Sequence, residues 1–429
     1  MQENQINGYS PTPHAQRYYA WFVICIASLF FFYELVQMSM FNAISSDLMA
    51  SFQVSAAKLS WISSGYFYAN ILFMLPAGII LDRFSTRAII VVSMLICITG
   101  TLLFSFAESL PVAMFARFLT GIGGSFPLLS CMRLASRWIP YKRLALASGL
   151  IVTIGMLGGC FAQRPLEYLS QHFGWQSALR LDAAFGALVL VLIFSIVRDF
   201  PRHLQDSPTA KPKALSILEG LKLTVNNHNN WIFGFYTCLM NLPVFLLGQT
   251  WGSLYLQQVR GLSLDQAMMT TAMIFVGMII GSPTLGYLSD RLQARKPLMM
   301  ICAIFAIANI AAIMLIPSLS WLSLSILFWL LGYITSAQVL SYPAIAENNK
   351  TQVVGTALGL ASVLIMAGGA FGEPLSGWLL DLNWHHIYHG ATPWYSSANF
   401  FESFLMMPIA FLISLLILLP KFRSNHPRK

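Results

Sequence analysis

A ten-residue pattern set between two long apolar runs, and then repeated, constrains this chain more than any other feature. Gly78-Ile-Ile-Leu-Asp82-Arg83-Phe-Ser-Thr-Arg87 returns as Gly286-Tyr-Leu-Ser-Asp290-Arg291-Leu-Gln-Ala-Arg295, with all four signature positions displaced by 208 residues. In both copies an apolar run of about one membrane thickness ends on an acid and its basic neighbours, and another run begins at once. Each copy therefore reads as a tight hairpin between two spanning helices. A second set, Gly149, Gly158, Gly159 and Phe161, recurs 210 residues later as Gly359, Gly368, Gly369 and Phe371, and Pro165-Leu166 is answered by Pro374-Leu375. The chain is two homologous halves of about 200 residues each.

Composition agrees. Of 429 residues 57% are hydrophobic and 10% charged, where a soluble domain carries about 25% charged residues, so a soluble domain is excluded. The net charge of +9 comes without a basic helix or aromatic-basic interleaving, which argues against nucleic acid. All six cysteines (Cys25, Cys97, Cys131, Cys160, Cys238 and Cys302) fall in apolar runs without ligand spacing, so neither disulfides nor a structural metal nor a cofactor is expected.

Residues 1–17 are polar, lack the core of a signal peptide and read as a disordered tail. Twelve apolar segments follow, at 18–44, 59–81, 88–107, 110–134, 144–169, 175–197, 231–257, 265–289, 297–317, 320–345, 353–380 and 400–420. The predicted organisation is an N-terminal six-helix bundle (18–199), a linker (200–230), a C-terminal six-helix bundle (231–420) and a short tail (421–429). With the N-terminus inside, 20 of the 25 lysines and arginines lie on the inner side, and only Lys58, Arg180 and Arg260 lie outside. The positive-inside rule then puts both termini in the cytoplasm. Within the linker, 214–224 has the pattern of a short amphipathic helix on the inner membrane surface, or of an ordinary connection.

These residues resemble the major facilitator superfamily over the whole chain. Gly78, Asp82, Arg83 and Arg87 match its loop signature between helices two and three, and Gly286, Asp290, Arg291 and Arg295 match the copy between helices eight and nine. Arg117, Gly121 and Gly123 match the fourth-helix signature of its proton-coupled members. The resemblance implies an all-α membrane protein of twelve helices, in two pseudo-symmetric bundles that rock about a central site, and a functional monomer. The fifth-helix signature of drug/proton antiporters is half present: Gly155, Gly158 and Gly159 are there, and Met156 stands where a proline would be. Phe31-Phe32-Tyr33-Glu34, with Gln338 and Tyr342, resembles the nutrient-uptake branch of intracellular gammaproteobacteria, the phagosomal transporters of amino acids and nucleosides.

A charge near the middle of a bilayer costs about 2.5–3.5 kcal/mol on insertion scales, so intramembrane charges mark function. Glu34, Arg117, Arg164 and Glu373 qualify, all in the outer half of their segments. Glu34 and Arg117 belong to one half and are able to pair, either as a proton or substrate-cation site or as a static ion pair. Arg164 and Glu373 occupy equivalent places in the two halves, so they read as an outer gate closed by a salt bridge or as paired anchors for a zwitterion. Gln37, Gln163, Asn241, Gln249 and Gln338, with Tyr33, Trp251 and Tyr342, fall on helices that line the cavity in the family, as substrate contacts or as interhelical hydrogen bonds. The duplicated loops read as gating machinery, with Asp82 and Asp290 held by the loop arginines and a neighbouring helix N-terminus. The glycines of helices five and eleven read as close packing at the moving interface. His385, His386 and His389 lie among aromatics in an outer loop and read first as an interfacial rim, with metal binding and pH sensing as alternatives.

The sequence thus points to a secondary transporter of the cytoplasmic membrane, importing a small polar nutrient such as an amino acid or short peptide with protons. The alternatives are a proton-coupled exporter of drugs, siderophores or metabolites, and a nutrient sensor that keeps the fold. The chain holds no His-Glu-x-x-His, Gly-x-Ser-x-Gly or nucleotide-binding glycine loop, so no enzyme is expected.

Overall fold

The structure, a computed structural model, describes residues 14–140, 143–200, 217–292, 295–350 and 353–419, except the side chains of 14–17, 75, 79, 82, 144, 145, 217 and 218. Six spans are single helices: α1 (His14–Phe52), α2 (Ala56–Arg83), α3 (Thr86–Ser105), and, after two broken spans, α8 (Trp175–Ile196), then α12 (Leu264–Leu292) and α13 (Arg295–Leu315). A seventh single helix, α16 (Val354–Leu382), carries Pro374 inside it. The fourth span is α4 (Leu110–Gly124) with α5 (Pro127–Trp138), and the fifth is α6 (Leu144–Phe161) with α7 (Arg164–Phe173). The seventh joins α10 (His228–Met240), a π-helical segment Val244–Thr250 and α11 (Gly252–Gln258). The tenth joins α14 (Trp321–Thr335), a 3-10 segment Ser336–Leu340 and α15 (Ser341–Glu347), and the twelfth is α17 (Ser397–Phe404) with α18 (Met406–Leu418).

Proline explains most of the breaks. Pro127, Pro165, Pro243, Pro343 and Pro408 each stand at or just after an interruption, where a missing N–H and a fixed φ stop the ladder. Among the described residues eleven helical stretches are long and apolar enough to cross a membrane. The 28-residue α2 is the twelfth span. The protein is an all-α multi-pass membrane protein, as the apolar segments predict.

Two boundaries differ from the sequence reading. The first helix begins at His14, inside the predicted tail, and runs to Phe52 rather than stopping near 44. Its polar last two turns are held from outside, by Ser170 Oγ donating to Asp47 (2.7 Å) and Trp175 Nε1 donating to Ser51 (2.9 Å). In the connection, α9 (Ile217–Asn226) forms where the amphipathic pattern lies and packs against α16 and α10.

The duplication reappears as duplicated packing. In the first half α1 packs on α6 and α8, α2 on α4, and α3 on α4 and α8. In the second half α10 packs on α16 and α18, α12 on α14, and α13 on α14 and α18, the same pairs moved six spans along. The halves meet through α2 against α16 and through α6 against α12, which exchange under that relation, and through α1 against the π-helical segment.

Twelve spans put both termini on one face, here the terminal face, opposite the far face. Hydrogen bonds joining the halves cluster at the far ends of the helices. Asn42 of α1 donates to Thr271 of α12 at 3.1 Å and accepts from Ser253 N of α11 at 2.8 Å, and Gln163 donates to the Gly248 carbonyl at 3.0 Å. The Ala57 amide of α2 donates to Asp381 of α16 at 3.1 Å, and that of Ala56 to the Tyr395 hydroxyl at 2.8 Å. Toward the terminal end, a Cβ added to Gly78, Gly149, Gly286 or Gly355 would meet nothing within 4 Å among the described residues. Among the described residues the hydrogen bonds between the halves thus lie toward the far face.

Candidate functional site

The first half buries a linked set of polar groups beneath the closed end. Glu34 of α1 is 4% exposed and accepts a hydrogen bond from the Tyr66 hydroxyl of α2. Arg117 of α4 is fully buried, and its Nη1 donates to the Gln37 carbonyl at 3.0 Å. Its guanidinium lies 5.0 Å from the Tyr66 ring centre and 4.9 Å from that of Phe41, while Nε and Nη2 have no hydrogen-bond partner. The pairing of Glu34 with Arg117 read from sequence is therefore replaced by a relay: Tyr66 puts its ring against the cation and its hydroxyl on the carboxylate.

Glycines make that relay possible. A Cβ at Gly121 would lie 2.2 Å from the Tyr66 carbonyl oxygen, and one at Gly124 2.4 Å from the Tyr66 hydroxyl. Gly123 gives the same room to α3, where Ser93 O lies 2.5 Å from the position a Cβ would take. The spacing that follows Arg117 thus lets α2 and α3 approach α4 closely enough to seat Tyr66.

Gln37 extends the set. Its amide donates to Asp182 of α8 and accepts from Thr101 of α3 at 2.8 Å, and Asp182 keeps Oδ1 without a partner. Neither Asp182 nor Tyr66 is singled out by the sequence reading. Asp182 is a lone acid in an apolar run, the available signal, but it stands two residues after Arg180 and so reads as rim. Tyr66 carries no local signal, because its role depends on which helix faces α2.

In the second half Glu373 of α16 is fully buried, accepts from Thr250 at 2.6 Å, and has the Ser63 hydroxyl of α2 beside it. Gln249, in the π-helical segment, is fully buried with neither amide atom paired. Gln338 donates to Asn241 at 2.8 Å, Trp251 donates to Ser376 at 2.8 Å, and Tyr342 is half-buried.

Arg164 does not meet Glu373, and this corrects the sequence reading. It pairs with Glu167 on its own helix and with Asp265 of α12, so it does bridge the halves, with a different acid. Arg164, its side chain 39% exposed, faces Asp265 in the first turn of α12, whereas Glu373 is fully buried within α16.

In the duplicated loops Arg295 holds Asp290 at 3.1 Å and Glu347 at 2.7 Å. Arg87 donates its backbone N–H to Asp199 at 3.0 Å and its side chain to the Phe194 carbonyl, and Arg137 reaches Asp199 at 3.6 Å. Asp199, absent from the sequence reading, is the acid that gathers the first loop. Arg83 and Arg291 are exposed, and the side chain of Asp82 lies outside the described residues. The glycines divide by position. Gly155 and Gly158 press on Phe31 and Phe32, and Gly159 and Gly369 on rings of the opposite half, while Gly149 and Gly355 face open space. His386 packs on Trp384 at 4.6 Å and His389 stacks on Trp394 at 4.1 Å. Among the described residues no three histidines, cysteines or acids are grouped to hold a metal.

Two six-helix halves, repeating one packing scheme and joined at one end over buried charges, define the architecture of the secondary-transporter class. The chain belongs to the Major Facilitator Superfamily, whose family model matches residues 24–372 and 266–429. It is 23% identical over 410 residues to the membrane sensor protein UhpC of Escherichia coli strain K12, covering 91% of this chain and 89% of that one. It is also 23% identical over 348 residues to the hexuronate transporter of Bacillus subtilis strain 168, covering 76% and 80%. Among solved structures it resembles a bacterial homologue of the human lysosomal transporter Spinster, inward-facing and occupied, with a TM-score of 0.74 at 17% identity over 92% and 95% of the two chains.

Proposed function

We propose that the protein is a proton-coupled importer of the cytoplasmic membrane for a small carboxylate-bearing nutrient, an amino acid or short peptide, working as a monomer by alternating access. The observation that carries this reading is the fully buried guanidinium of Arg117, with Nε and Nη2 unpaired. A buried donor or acceptor without a partner costs about 1–3 kcal/mol, more when charged, and a ligand that supplies the missing bonds recovers it. A carboxylate fits the two free N–H groups of Arg117, an ammonium fits Glu373, and the unpaired Gln249 amide serves a peptide group.

Glu34 takes the coupling role. It is reached from Arg117 through Tyr66, so an anion that draws the guanidinium off the ring also changes the setting of the carboxylate. The excess of lysine and arginine on the terminal face supports a cytoplasmic placement of that face, and the far face is then the outer one. The name of the hexuronate transporter supports a carboxylate-bearing solute. That of the sensor supports a second reading, in which the same site binds a nutrient without moving it.

Uptake of a labelled amino-acid and dipeptide mixture into proteoliposomes, with an inward proton gradient, tests the proposal for wild type, Arg117→Lys and Glu34→Gln. Accumulation that needs the gradient in wild type and is lost in both variants supports it. Binding without accumulation favours the sensor, and neither binding nor uptake removes the substrate class.

A further inference from the structure

Above the closed end lies a cavity of about 360 Å³, open to the far face and separated from the buried charges by the Asn42–Ser253 contact. Its size falls within the range of about 300–1,000 Å³ for small-molecule sites. Both halves line it: α1, α7 and α8 from the first, α11 and α12 from the second. Its lining carries two acids, Asp47 and Glu167, and neither lysine nor arginine. Asp47 is exposed and takes one hydrogen bond, from Ser170. Glu167 is fully buried; Oε2 is held by Arg164, while Oε1 has no partner.

We propose that this vestibule is a binding site for a small solute bearing a primary ammonium group, held between Glu167 Oε1 and Asp47. Carboxylate oxygens only accept hydrogen bonds, and an ammonium only donates, so the group fills the missing valence and balances charge. Ser46, Ser51 and Gln257 line the remaining wall and bind the rest of the solute through hydroxyl and amide groups. The site is also wired to the closed end: Glu167 shares Arg164 with Asp265 of the other half, so an ammonium on Glu167 competes for the residue that bridges the halves.

The test is cysteine labelling of the full-length protein in detergent, which needs no transport. Ala50 lines the cavity, and Ala50→Cys is the reporter, with the wild-type chain as background for its native cysteines. A cationic methanethiosulfonate should react about tenfold faster than a neutral one, because an acidic cleft concentrates cations. L-leucinamide, which has the ammonium but no carboxylate, should slow labelling. Adding Glu167→Gln should bring the two reagents to nearly equal rates and abolish protection, with the neutral reagent unchanged as the control for folding. If that variant does not fold, Asp47→Asn at the exposed acid should lower the cationic preference severalfold. Equal rates in the Ala50→Cys parent, absence of protection, protection that survives Glu167→Gln, or a preference unmoved by Asp47→Asn overturns the proposal.

Discussion

Phe67 of α2 and Phe275 of α12 stand 208 residues apart, and each seats its ring on a glycine of the opposite half, Phe67 on Gly369 and Phe275 on Gly159. A Cβ at Gly369 would come within 2.7 Å of the Phe67 ring and one at Gly159 within 2.5 Å of the Phe275 ring, so neither glycine tolerates a methyl group without moving an aromatic. The two contacts exchange under the relation between the halves. They lie below the polar contacts of the far face, where the halves are pressed together.

Gly159→Ala and Gly369→Ala should therefore open the far end. Overpacking of this kind costs about 1–3 kcal/mol, and the closed end should lose population by about tenfold or more. Labelling of a cysteine placed at Ser253, in the closed contact, should rise in both variants. Gly149→Ala, with open space around it here, should leave that labelling low.

Arg117→Lys should remove substrate binding while leaving the fold. A lysine keeps the charge but cannot offer two N–H groups in a fixed fork while bonding the Gln37 carbonyl. Ligand affinity should fall about tenfold or more, by equilibrium binding, with the unfolding temperature in detergent within a few degrees of wild type. Unchanged affinity would move the binding site elsewhere.

The Arg164–Asp265 pair is exposed, 39% and 49% at the side chains, and its contribution should be small and salt-sensitive. Asp265→Asn should raise far-face labelling by less than about fivefold, corresponding to ~1 kcal/mol or less. The difference from wild type should vanish in high salt.

The contact of Asp381 and Tyr395 with the start of α2 should matter more. Asp381 accepts from Ala57 N and from the Tyr395 hydroxyl, and that hydroxyl accepts from Ala56 N, so the second half caps a helix of the first. Loss of a helix cap costs about 1 kcal/mol, and Asp381→Ala and Tyr395→Phe should each raise far-face labelling by a similar severalfold factor. The double variant should be no worse than the sum, because both remove parts of one contact.

The sequence by itself determined the spans, their number, the two halves and the loops between them. Those features rest on local physics: an apolar run of sufficient length must cross the membrane, a proline stops a ladder, and a duplication repeats both. It also pointed to Glu34, Arg117, Arg164 and Glu373 as misfits in an apolar setting. Only the tertiary structure decided their partners. Tyr66 displaces Arg117 from Glu34, Asp265 takes Arg164 in place of Glu373, and Asp182 joins through Gln37. Each of these contacts joins different helices, and a span reports the depth of a residue but not the direction its neighbours face. That direction is set where backbones pack on glycines, at Gly121, Gly124, Gly159 and Gly369, by contacts more than 50 residues apart along the chain.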